Sequence, residues 1–224
     1  MKTQAQLKQD VAQYISNSLD FQEQLIFGSG STINAIIQAG SPKITQAASS
    51  SNATTLMLKQ ANIQEVTLNS INPSEPSICI DGADQIIEGN QMIIKGHGGA
   101  LLREKISWGA AKTIIVAIDE SKLSKRISKT IPIVISSFGI SAIQKAVEEI
   151  DTVYTAILRQ YSNLPFITDD GNMILDLSVD SSTKLEVLDQ QLHRIPGVLE
   201  TGIFIPEQFD LTIYCATQDG ILKI

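Results

Sequence analysis

Apolar runs of strand length alternate with helical patterns along the first half of the chain. In the opening segment apolar residues recur at helical spacing, at Leu7, Val11, Tyr14 and Ile15, which predicts an amphipathic helix. Further helices are predicted from about 33 to 40, from about 49 to 60 and from about 99 onward. Strands are predicted at 25–27, 43–48, 65–68, 77–80, 92–94 and 113–118. This alternation indicates an α/β fold with a mainly parallel sheet that is covered on both faces.

The pattern changes after Ile131. The predicted elements there are strand 131–136, helix 140–150, strand 153–158, strands 166–168 and 173–177 around a hairpin turn at 169–172, helix 183–194 and strand 198–205. This β-α-β-β-α-β order matches the split βαβ arrangement. Strands 211–216 and 221–224 then return to the first sheet. The sequence therefore predicts a large domain, 1–130 plus 206–224, with a small domain, 131–205, inserted into it.

Composition and charge narrow the class of protein. The 224 residues are 43% apolar and 18% charged, as in ordinary globular domains. A net charge of -7 argues against a nucleic-acid partner, which needs a clustered positive face. The chain start has no secretory-type apolar core, and the apolar runs are too short to span a bilayer. We expect a cytoplasmic protein without a membrane partner, in which Cys79 and Cys215 are buried thiols.

A loop of small residues, Gly28-Ser29-Gly30-Ser31-Thr32, joins the first predicted strand to a helix. Small residues let a ligand approach the backbone closely, and the start of a helix presents unpaired N–H groups and a partial positive charge. The hydroxyl groups add further donors, so the loop is suited to phosphate. A plain turn with a Ser or Thr cap is the structural alternative.

Two carboxylates, Asp81 and Asp84, follow a buried strand. Ligand crevices of open α/β sheets lie at the carboxyl ends of strands. Close carboxylates can accept hydrogen bonds from sugar hydroxyls or share a proton, and Gly82 between them suggests a position that tolerates no side chain. The alternatives are a surface Asx-turn and, less in keeping with the ligand spacing, a divalent metal site.

Lys95 precedes a glycine loop, and Glu104 lies within the helix that this loop opens. An ammonium group beside backbone N–H groups can stabilise an enediolate or another oxyanion. Glu104 can be the carboxylate that removes a proton from carbon. Structurally, the same residues can be a lysine at a sheet edge and a glutamate paired with a neighbouring cation.

Three further polar residues have a structural explanation at hand. Lys122 lies after strand 113–118, at another strand's carboxyl end, where a surface lysine is the default. His97 is interpreted as a loop residue rather than a ligand or base. His193 lies near a helix end, where a favourable contact with the helix dipole explains it.

Together these motifs resemble the ribose-5-phosphate isomerase type A family, over nearly the whole chain. The matching segments, in chain order, are Gly28 to Thr32, Ser49-Ser50-Ser51, Asp81-Gly82-Ala83-Asp84, Lys95 to Lys105, Asp119 to Lys122 and Ile195-Pro196-Gly197-Val198. The resemblance implies a Rossmann-like large domain, a ferredoxin-like small domain, a homodimer or homotetramer, and no metal or organic cofactor.

The resemblance also implies roles for individual residues in the interconversion of D-ribose 5-phosphate and D-ribulose 5-phosphate. Glu104 matches the family's general base, and Asp81, Asp84 and Lys95 match its polar active-site groups. The substrate and phosphate contacts implied by the match are Lys8, Ser29, Gly30, Ser31, Thr32, Gly82, Ala83, Gly96, His97, Gly98 and Lys122.

The chain departs from the family pattern at a few positions. Ser29 stands where threonine is usual, Gln85 where glutamate is usual and His97 where glycine is usual, and the stretch 85–94 is one residue longer. Two other functions therefore stay open at this stage. A diverged relative would bind sugar phosphates as a sensor without turnover, and an acyl or CoA transferase would use Glu104 as a nucleophile.

Overall fold

A computed structural model describes residues 1–18, 24–40, 43–72, 74–75 and 77–224. The helices in these ranges are α1 (Gln4–Ser18), α2 (Ser31–Gly40), α3 (Asn52–Gln60), α4 (Leu101–Ala110), α5 (Ile140–Glu148) and α6 (Leu185–Leu192). The strands are β1 (Gln24–Phe27), β2 (Gln46–Ser49), β3 (Gln64–Glu65), β4 (Ser77–Asp81), β5 (Gln85–Ile87), β6 (Ile93–Ile94), β7 (Thr113–Asp119), β8 (Leu123–Ser124), β9 (Ile131–Ile135), β10 (Thr155–Leu158), β11 (Gln160–Tyr161), β12 (Leu164–Pro165), β13 (Met173–Ser178), β14 (Val198–Thr201), β15 (Ile203–Phe204), β16 (Leu211–Thr217) and β17 (Gly220–Lys223). Short 3₁₀ helices occupy Leu68–Ser70, Glu120–Lys122 and Pro206–Gln208.

The chain divides into two compact units. The first comprises Met1–Ala83, Arg103–Lys122 and Pro206–Ile224, and the second comprises Asp84–Leu102 and Leu123–Ile205. The domain limits inferred from the sequence stay a prediction.

The first unit contains a seven-stranded sheet in the order β17-β16-β7-β4-β1-β2-β3. Its strands are parallel except for β17, which pairs antiparallel with β16. Read from β3, this is the Rossmann-like order 3-2-1-4-5-6, in which the chain reverses direction across the sheet between β1 and β4. The predicted α/β class with a mainly parallel sheet is confirmed.

The apolar pattern of the first unit explains its core. Val11 and Ile15 of α1, Ile33 and Ile37 of α2 and Phe27 of β1 belong to one buried cluster. Tyr14, predicted on the apolar face of α1, is exposed instead and lies 5.2 Å from the ring of Tyr214.

The second unit contains an antiparallel sheet in the order β10-β13-β9-β14. With α5 and α6 between the strands along the chain, this is the ferredoxin-like arrangement that the sequence predicts. Ile133 and Leu175 of the sheet share a buried cluster with Val147 of α5 and Leu188 of α6. A second sheet has the order β15-β6-β5-β8, and β11 and β12 form a hairpin.

The predicted strand 198–205 is wrong as a single element. It breaks at Gly202 into β14, which pairs with β9, and β15, which pairs with β6. A Cβ atom at Gly202 would lie 2.3 Å from the main-chain oxygen of Lys95, so the close approach of two backbones requires glycine here.

The predicted strand 166–168 is also absent from the described elements. Ile167 makes only an isolated bridge to Met173, although the turn itself forms, with Thr168 N–H donating to the Asn172 oxygen at 2.9 Å. The chain instead forms the hairpin of β11 and β12, where Ser162 and Asn163 have φ values of 51° and 65°. Two consecutive positive φ values are typical of a type I′ turn, which Ser-Asn signals less strongly than Asn-Gly.

Other differences concern element ends and short strands. β5 and β8 lie where the sequence predicted loops, and the predicted strand 65–68 ends at Glu65, after which a 3₁₀ helix forms at Leu68–Ser70. In the described part of the chain no helix is long and apolar enough to cross a membrane.

Both cysteines are buried, Cys79 in β4 and Cys215 in β16, as the sequence predicts. Burial and the charges of Asp119 and Glu120 raise the pKa of the Cys215 thiol to about 11. Because the thiolate is the reactive form, we expect neither thiol to react with a water-soluble disulfide reagent at pH 8 in the native protein. Both should react at once in 6 M guanidinium. Rapid native labelling of Cys215 would contradict the burial of β16.

Candidate active site

The predicted site residues are distributed over both units. The first unit carries Lys8, Ser29, Gly30, Ser31, Thr32, Asp81, Gly82, Ala83, Glu104 and Lys122, and the second carries Asp84, Lys95, Gly96, His97 and Gly98.

In the first unit, two of the predicted motifs begin at the same edge of the parallel sheet. β1 and β4 are neighbours with Phe27 opposite Ile80. The next residues, Gly28 and Asp81, therefore lie side by side at the carboxyl ends of the two strands. Gly28 N–H donates to the Ile80 oxygen at 2.8 Å. This edge is the switch point of the strand order, where α/β sheets bind ligands.

Asp81 is a fully buried carboxylate with defined donors. The N–H of Gly82 donates to Asp81 Oδ1 at 2.8 Å, and the indole Nε1 of Trp108 donates to Oδ2 at 2.8 Å. A Cβ atom at Gly28 would lie 1.8 Å from Oδ1, so glycine at position 28 makes room for this carboxylate. At Gly82, in contrast, a Cβ atom would come no closer than 3.8 Å to its surroundings, and the predicted intolerance of a side chain there is wrong.

Sequence reasoning missed Trp108, which holds Asp81 from α4. It is the single tryptophan of the chain and is 1% exposed. Its ring also meets Phe209 edge-on, at 5.2 Å between centroids. From the sequence alone, a tryptophan on a short helix is interpreted as a core residue. Only the fold shows that its N–H donates to a carboxylate.

Replacing Trp108 by phenylalanine keeps an aromatic ring but removes the N–H donor to Asp81. We expect the free energy of unfolding to fall by about 1–3 kcal/mol, the usual cost of removing one partner of a buried charged group. Urea unfolding measures this loss. The control, Phe209→Leu, loses the ring contact and keeps the donor, so an equal or larger loss there would contradict the importance of the N–H group.

Glu104 lies in the first turn of α4 and is 3% exposed. Ser29 Oγ–H donates to Glu104 Oε1 at 2.6 Å. A negative charge is favoured at a helix N-terminus. The carboxylate is buried, and its hydrogen bond from Ser29 holds it in one orientation. The hydroxyl of Ser29, predicted as a phosphate contact, is thus engaged with the predicted base.

The rest of the 28–32 loop leads from β1 into α2. Gly30 has a φ of +106°, and α2 begins at Ser31, so the loop leads into a helix N-terminus. Lys8 Nζ of α1 lies 3.0 Å from Ser31 Oγ, which adds a cation at the same place. Lys122 ends the 3₁₀ helix after β7 and is partly exposed.

Residues at the start of α3 support the 28–32 loop. Ser51 is the N-cap of α3, as predicted from its serine run, and accepts from Thr54 N–H at 3.0 Å. The hydroxyl of Thr54 donates to the Gly28 oxygen at 2.8 Å. The start of α3 therefore fastens the loop to the sheet.

In the second unit, Asp84 and His97 face each other. His97 N–H donates to Asp84 Oδ2 at 2.9 Å, and His97 Nδ1 lies 3.5 Å from the same oxygen. Burial raises the pKa of Asp84, but the hydrogen bonds from His97 and the charge of Lys95 outweigh it and bring the pKa to about 2. Asp84 is therefore an acceptor of hydrogen bonds at neutral pH.

The lowered pKa of Asp84 predicts a pH-dependent stability. A group whose pKa is lower in the folded state stabilises the fold above its unfolded value, here 3.8, and loses this contribution as pH falls through about 2. We expect Asp84→Asn to lower the free energy of unfolding by about 1–2 kcal/mol at pH 6, with a difference that shrinks between pH 4 and pH 2. Urea titrations across pH measure it, with Asp219→Asn in an exposed turn as the control. A difference that does not change with pH would contradict the ionic role of Asp84.

Lys95 is buried at the start of the glycine loop. Its N–H donates to the Gly202 oxygen at 2.9 Å, and its Nζ lies 5.8 Å from the centre of the Phe204 ring. Gly96 has a φ of +103°, and a Cβ atom there would lie 2.5 Å from Leu101. Only glycine can adopt this backbone conformation at position 96 without a steric clash.

Arg159 holds the glycine loop, and sequence reasoning missed it. Its Nη1 donates to the main-chain oxygens of Gly96 at 2.8 Å and His97 at 3.0 Å. The other side of the guanidinium donates to Asp176, with Nε at 2.8 Å from Oδ2. Since Arg159 is 62 residues from His97 along the chain, no local pattern signals this contact.

Gln85 and His97, two of the departures from the family pattern, have structural partners in this unit. Gln85 Nε2 donates to the Arg126 oxygen at 2.7 Å, while its Oε1 accepts from the N–H groups of Ser128 and Lys129. A glutamate could not donate in this way, so the amide suits the loop that it holds. His97 Nε2 lies 3.1 Å from the Thr130 oxygen, in agreement with its interpretation as a loop residue.

Comparisons with known proteins converge on one family. The family model of ribose 5-phosphate isomerase A (phosphoriboisomerase A) matches residues 46–220. The ribose-5-phosphate isomerase A of Legionella pneumophila is 36% identical over 206 residues, covering 87% of each chain. That of Bartonella bacilliformis is 34% identical over 211 residues, covering 90% of this chain and 88% of its own.

Solved structures agree in fold. Ribose 5-phosphate isomerase A from Methanocaldococcus jannaschii matches with a TM-score of 0.89 at 27% identity, over 99% of both chains. A D-ribose-5-phosphate isomerase in complex with phospho-erythronic acid matches with a TM-score of 0.88 at 27% identity, over 100% of this chain and 99% of its own.

Proposed function

This chain belongs to the ribose 5-phosphate isomerase A family, and on that premise we propose that it interconverts D-ribose 5-phosphate and D-ribulose 5-phosphate with Glu104 as the general base. The observation that carries this assignment is the buried Glu104 carboxylate, which Ser29 of the anion-binding loop holds at 2.6 Å. The base and the loop that leads into α2 are thereby fixed to each other.

The substrate phosphate binds at residues 28–32. The loop offers backbone N–H groups at the start of α2, and Lys8, in contact with Ser31, adds a positive charge. Lys122 supplies a second cation from the turn that follows β7. Gly82 and Ala83, after β4, contribute backbone contacts to the bound sugar.

The reaction is a proton transfer on the open-chain aldose. Glu104 takes the proton from C2, the C2–H electrons form the C1–C2 double bond of a cis-enediolate, and the carbonyl oxygen on C1 gains the charge. Asp81 and Asp84 relay the proton of the C2 hydroxyl to O1, and return of the proton from Glu104 to C1 then leaves a carbonyl on C2 and a hydroxyl on C1. A positioned base of this kind contributes typically ~10²–10⁴-fold.

Lys95 and the N–H groups of residues 96–98 stabilise the charge that develops on oxygen. Asp81 and Asp84 accept hydrogen bonds from the sugar hydroxyls, and the lowered pKa of Asp84 keeps it in the accepting form. Phospho-erythronic acid, the ligand of one solved relative, has a carboxylate in place of an enediolate. Like a cis-enediolate, a carboxylate is a planar anion with two neighbouring oxygens, so such a ligand fits a site that binds both oxygens of the intermediate.

An isomerase assay in D₂O with purified protein tests both the reaction and its mechanism. We expect ribulose 5-phosphate to form and to carry deuterium at C1, since the proton on Glu104 exchanges with solvent. Complete absence of deuterium at C1 would contradict a proton-transfer mechanism. Binding of ribose 5-phosphate without turnover would favour the alternative function of a sugar-phosphate sensor.

The same assay tests substrate preference and metal independence when it is run with other sugar phosphates and with a chelator. Pentose and hexose phosphates are compared at equal concentration, in the presence and absence of a chelator. We expect the highest kcat/KM for ribose 5-phosphate and no loss of rate with the chelator. A hexose phosphate turned over faster, or a rate abolished by the chelator, would overturn the assignment.

We also propose a homodimer or homotetramer in the cytoplasm. Large apolar side chains are exposed in the second unit, among them Phe138, Tyr161 and Leu164, as expected of surface that a second copy covers. The buried thiols of Cys79 and Cys215 suit a reducing compartment. Light scattering on the purified protein decides the oligomeric state, and a monomer at 50 µM would contradict the proposal.

A further inference from the structure

Three side chains of metal-ligating type meet in the second unit, and none of them belongs to the proposed active site. Asp189 lies on α6, His193 is the C-cap residue of that helix, and Glu200 lies on β14. One ligand atom from each residue lies within 4.8 Å of the ligand atoms of the other two.

The local fold brings these residues together for a simple reason. Asp189 and His193 are four residues apart and share one face of the helix end. After the helix, the chain turns at 194–197 and returns as β14, which carries Glu200 back to His193. The same turn brings the carboxylates of Asp189 and Glu200 to within 3.5 Å and 3.0 Å of the imidazole nitrogens.

Contacts at both ring nitrogen atoms orient His193. Nδ1 lies 2.8 Å from the main-chain oxygen of Asp189, and a carbonyl oxygen only accepts, so Nδ1 carries a hydrogen. Nε2 lies 3.0 Å from Glu200 Oε1, which also only accepts. With its N–H on Nδ1, the imidazole directs the lone pair of Nε2 at Oε1, so a cation between these two atoms would be bound by both.

The charges and the orientation of the cluster suit a divalent metal ion. Asp189 and Glu200, 15% and 18% exposed in their side chains, bring two carboxylates together, whose charges a divalent ion would balance. The buried Thr201 donates to both, through N–H to Glu200 Oε1 at 2.8 Å and through its hydroxyl to Asp189 Oδ1. Outer donors of this kind, and a histidine whose other N–H meets a carbonyl, are typical of metal sites.

We propose that Asp189, His193 and Glu200 form a structural Zn²⁺ site that fastens the end of α6 to β14. One imidazole nitrogen and two carboxylate oxygens are ligands that Zn²⁺ accepts, at roughly 2.0–2.2 Å, and water completes a tetrahedron. The His193 side chain is 38% exposed, which gives the ion and the water access. The proposed zinc takes no part in the isomerisation.

The test treats the full-length protein with a chelator, removes the chelator and then adds Zn²⁺ or Co²⁺ without any other ligand. We expect calorimetry to show one Zn²⁺ bound per chain in the micromolar range or tighter, and Co²⁺ to give the visible absorption of a tetrahedral complex. Saturating Zn²⁺ should raise the thermal midpoint by about 5 °C.

Variants separate this site from adventitious binding. His193→Gln, Glu200→Gln and Asp189→Asn should each weaken Zn²⁺ binding at least tenfold, and the use of three variants covers the failure of any one to fold. Glu186→Gln, which removes a carboxylate from the first turn of the same helix, should bind like the wild type. The proposal is overturned if no stoichiometric binding occurs at 100 µM Zn²⁺, or if the three variants bind as well as Glu186→Gln.

Discussion

Replacing Glu104 by glutamine is expected to lower kcat for the conversion of ribose 5-phosphate by about 10²–10⁴-fold, the range of a general base. The amide has nearly the same size and still accepts the hydrogen bond from Ser29, so the fold and the substrate KM should change little. Steady-state kinetics and the thermal midpoint measure both quantities. An effect on kcat with an unchanged KM identifies a group that acts in the transition state.

The matched control for this variant is Glu88→Gln, which removes an exposed carboxylate in the second unit. Its kcat should stay within about twofold of the wild type, as expected for a surface substitution away from the site. Near-normal activity of Glu104→Gln would rule out Glu104 as the base. The buried Asp81 would then be the next carboxylate to examine.

Replacing Lys95 by methionine is expected to lower kcat by about 10²–10³-fold, the usual effect of removing one oxyanion donor. The methionine keeps most of the buried volume, and the N–H of residue 95 can still donate to Gly202. Because the ammonium group acts on charge that develops during the reaction, affinity for phospho-erythronic acid should fall more than affinity for ribose 5-phosphate.

The Lys95 variant also affects Asp84, since the charge of Lys95 contributes to the lowered pKa of that carboxyl. The acid limb of the pH–rate profile should therefore move upward in Lys95→Met. Lys112→Met, which removes a cation bound to the Ser74 oxygen in the first unit, is the control and should leave both rate and profile unchanged. Equal losses of affinity for the two ligands would contradict a role in oxyanion stabilisation.

Much of the fold follows from local pattern. Apolar runs and helical spacings determine which segments are strands and helices, and the β-α-β-β-α-β order after Ile131 predicts the ferredoxin-like sheet. The loop at 28–32 is recognisable from the sequence as a candidate anion site because glycine and hydroxyl residues join a strand to a helix there, although a capped turn uses the same residues. The motifs at 81–84 and 95–105 are recognisable as candidate chemical groups because they place charged side chains and glycines directly after apolar strands, where a ligand crevice is expected.

The contacts that orient those motifs depended on the tertiary structure. Trp108 donates to Asp81, and Arg159 holds the carbonyls of the 96–97 loop from a strand end 62 or more residues away. Likewise Gly202 splits one predicted strand into two because the backbone at Lys95 passes within reach of its Cβ position. A sequence determines apolar periodicity and turn chemistry residue by residue, whereas hydrogen bonds between distant segments exist only once the chain has packed. The sequence therefore indicates the candidate reactive groups, and the fold decides what holds them.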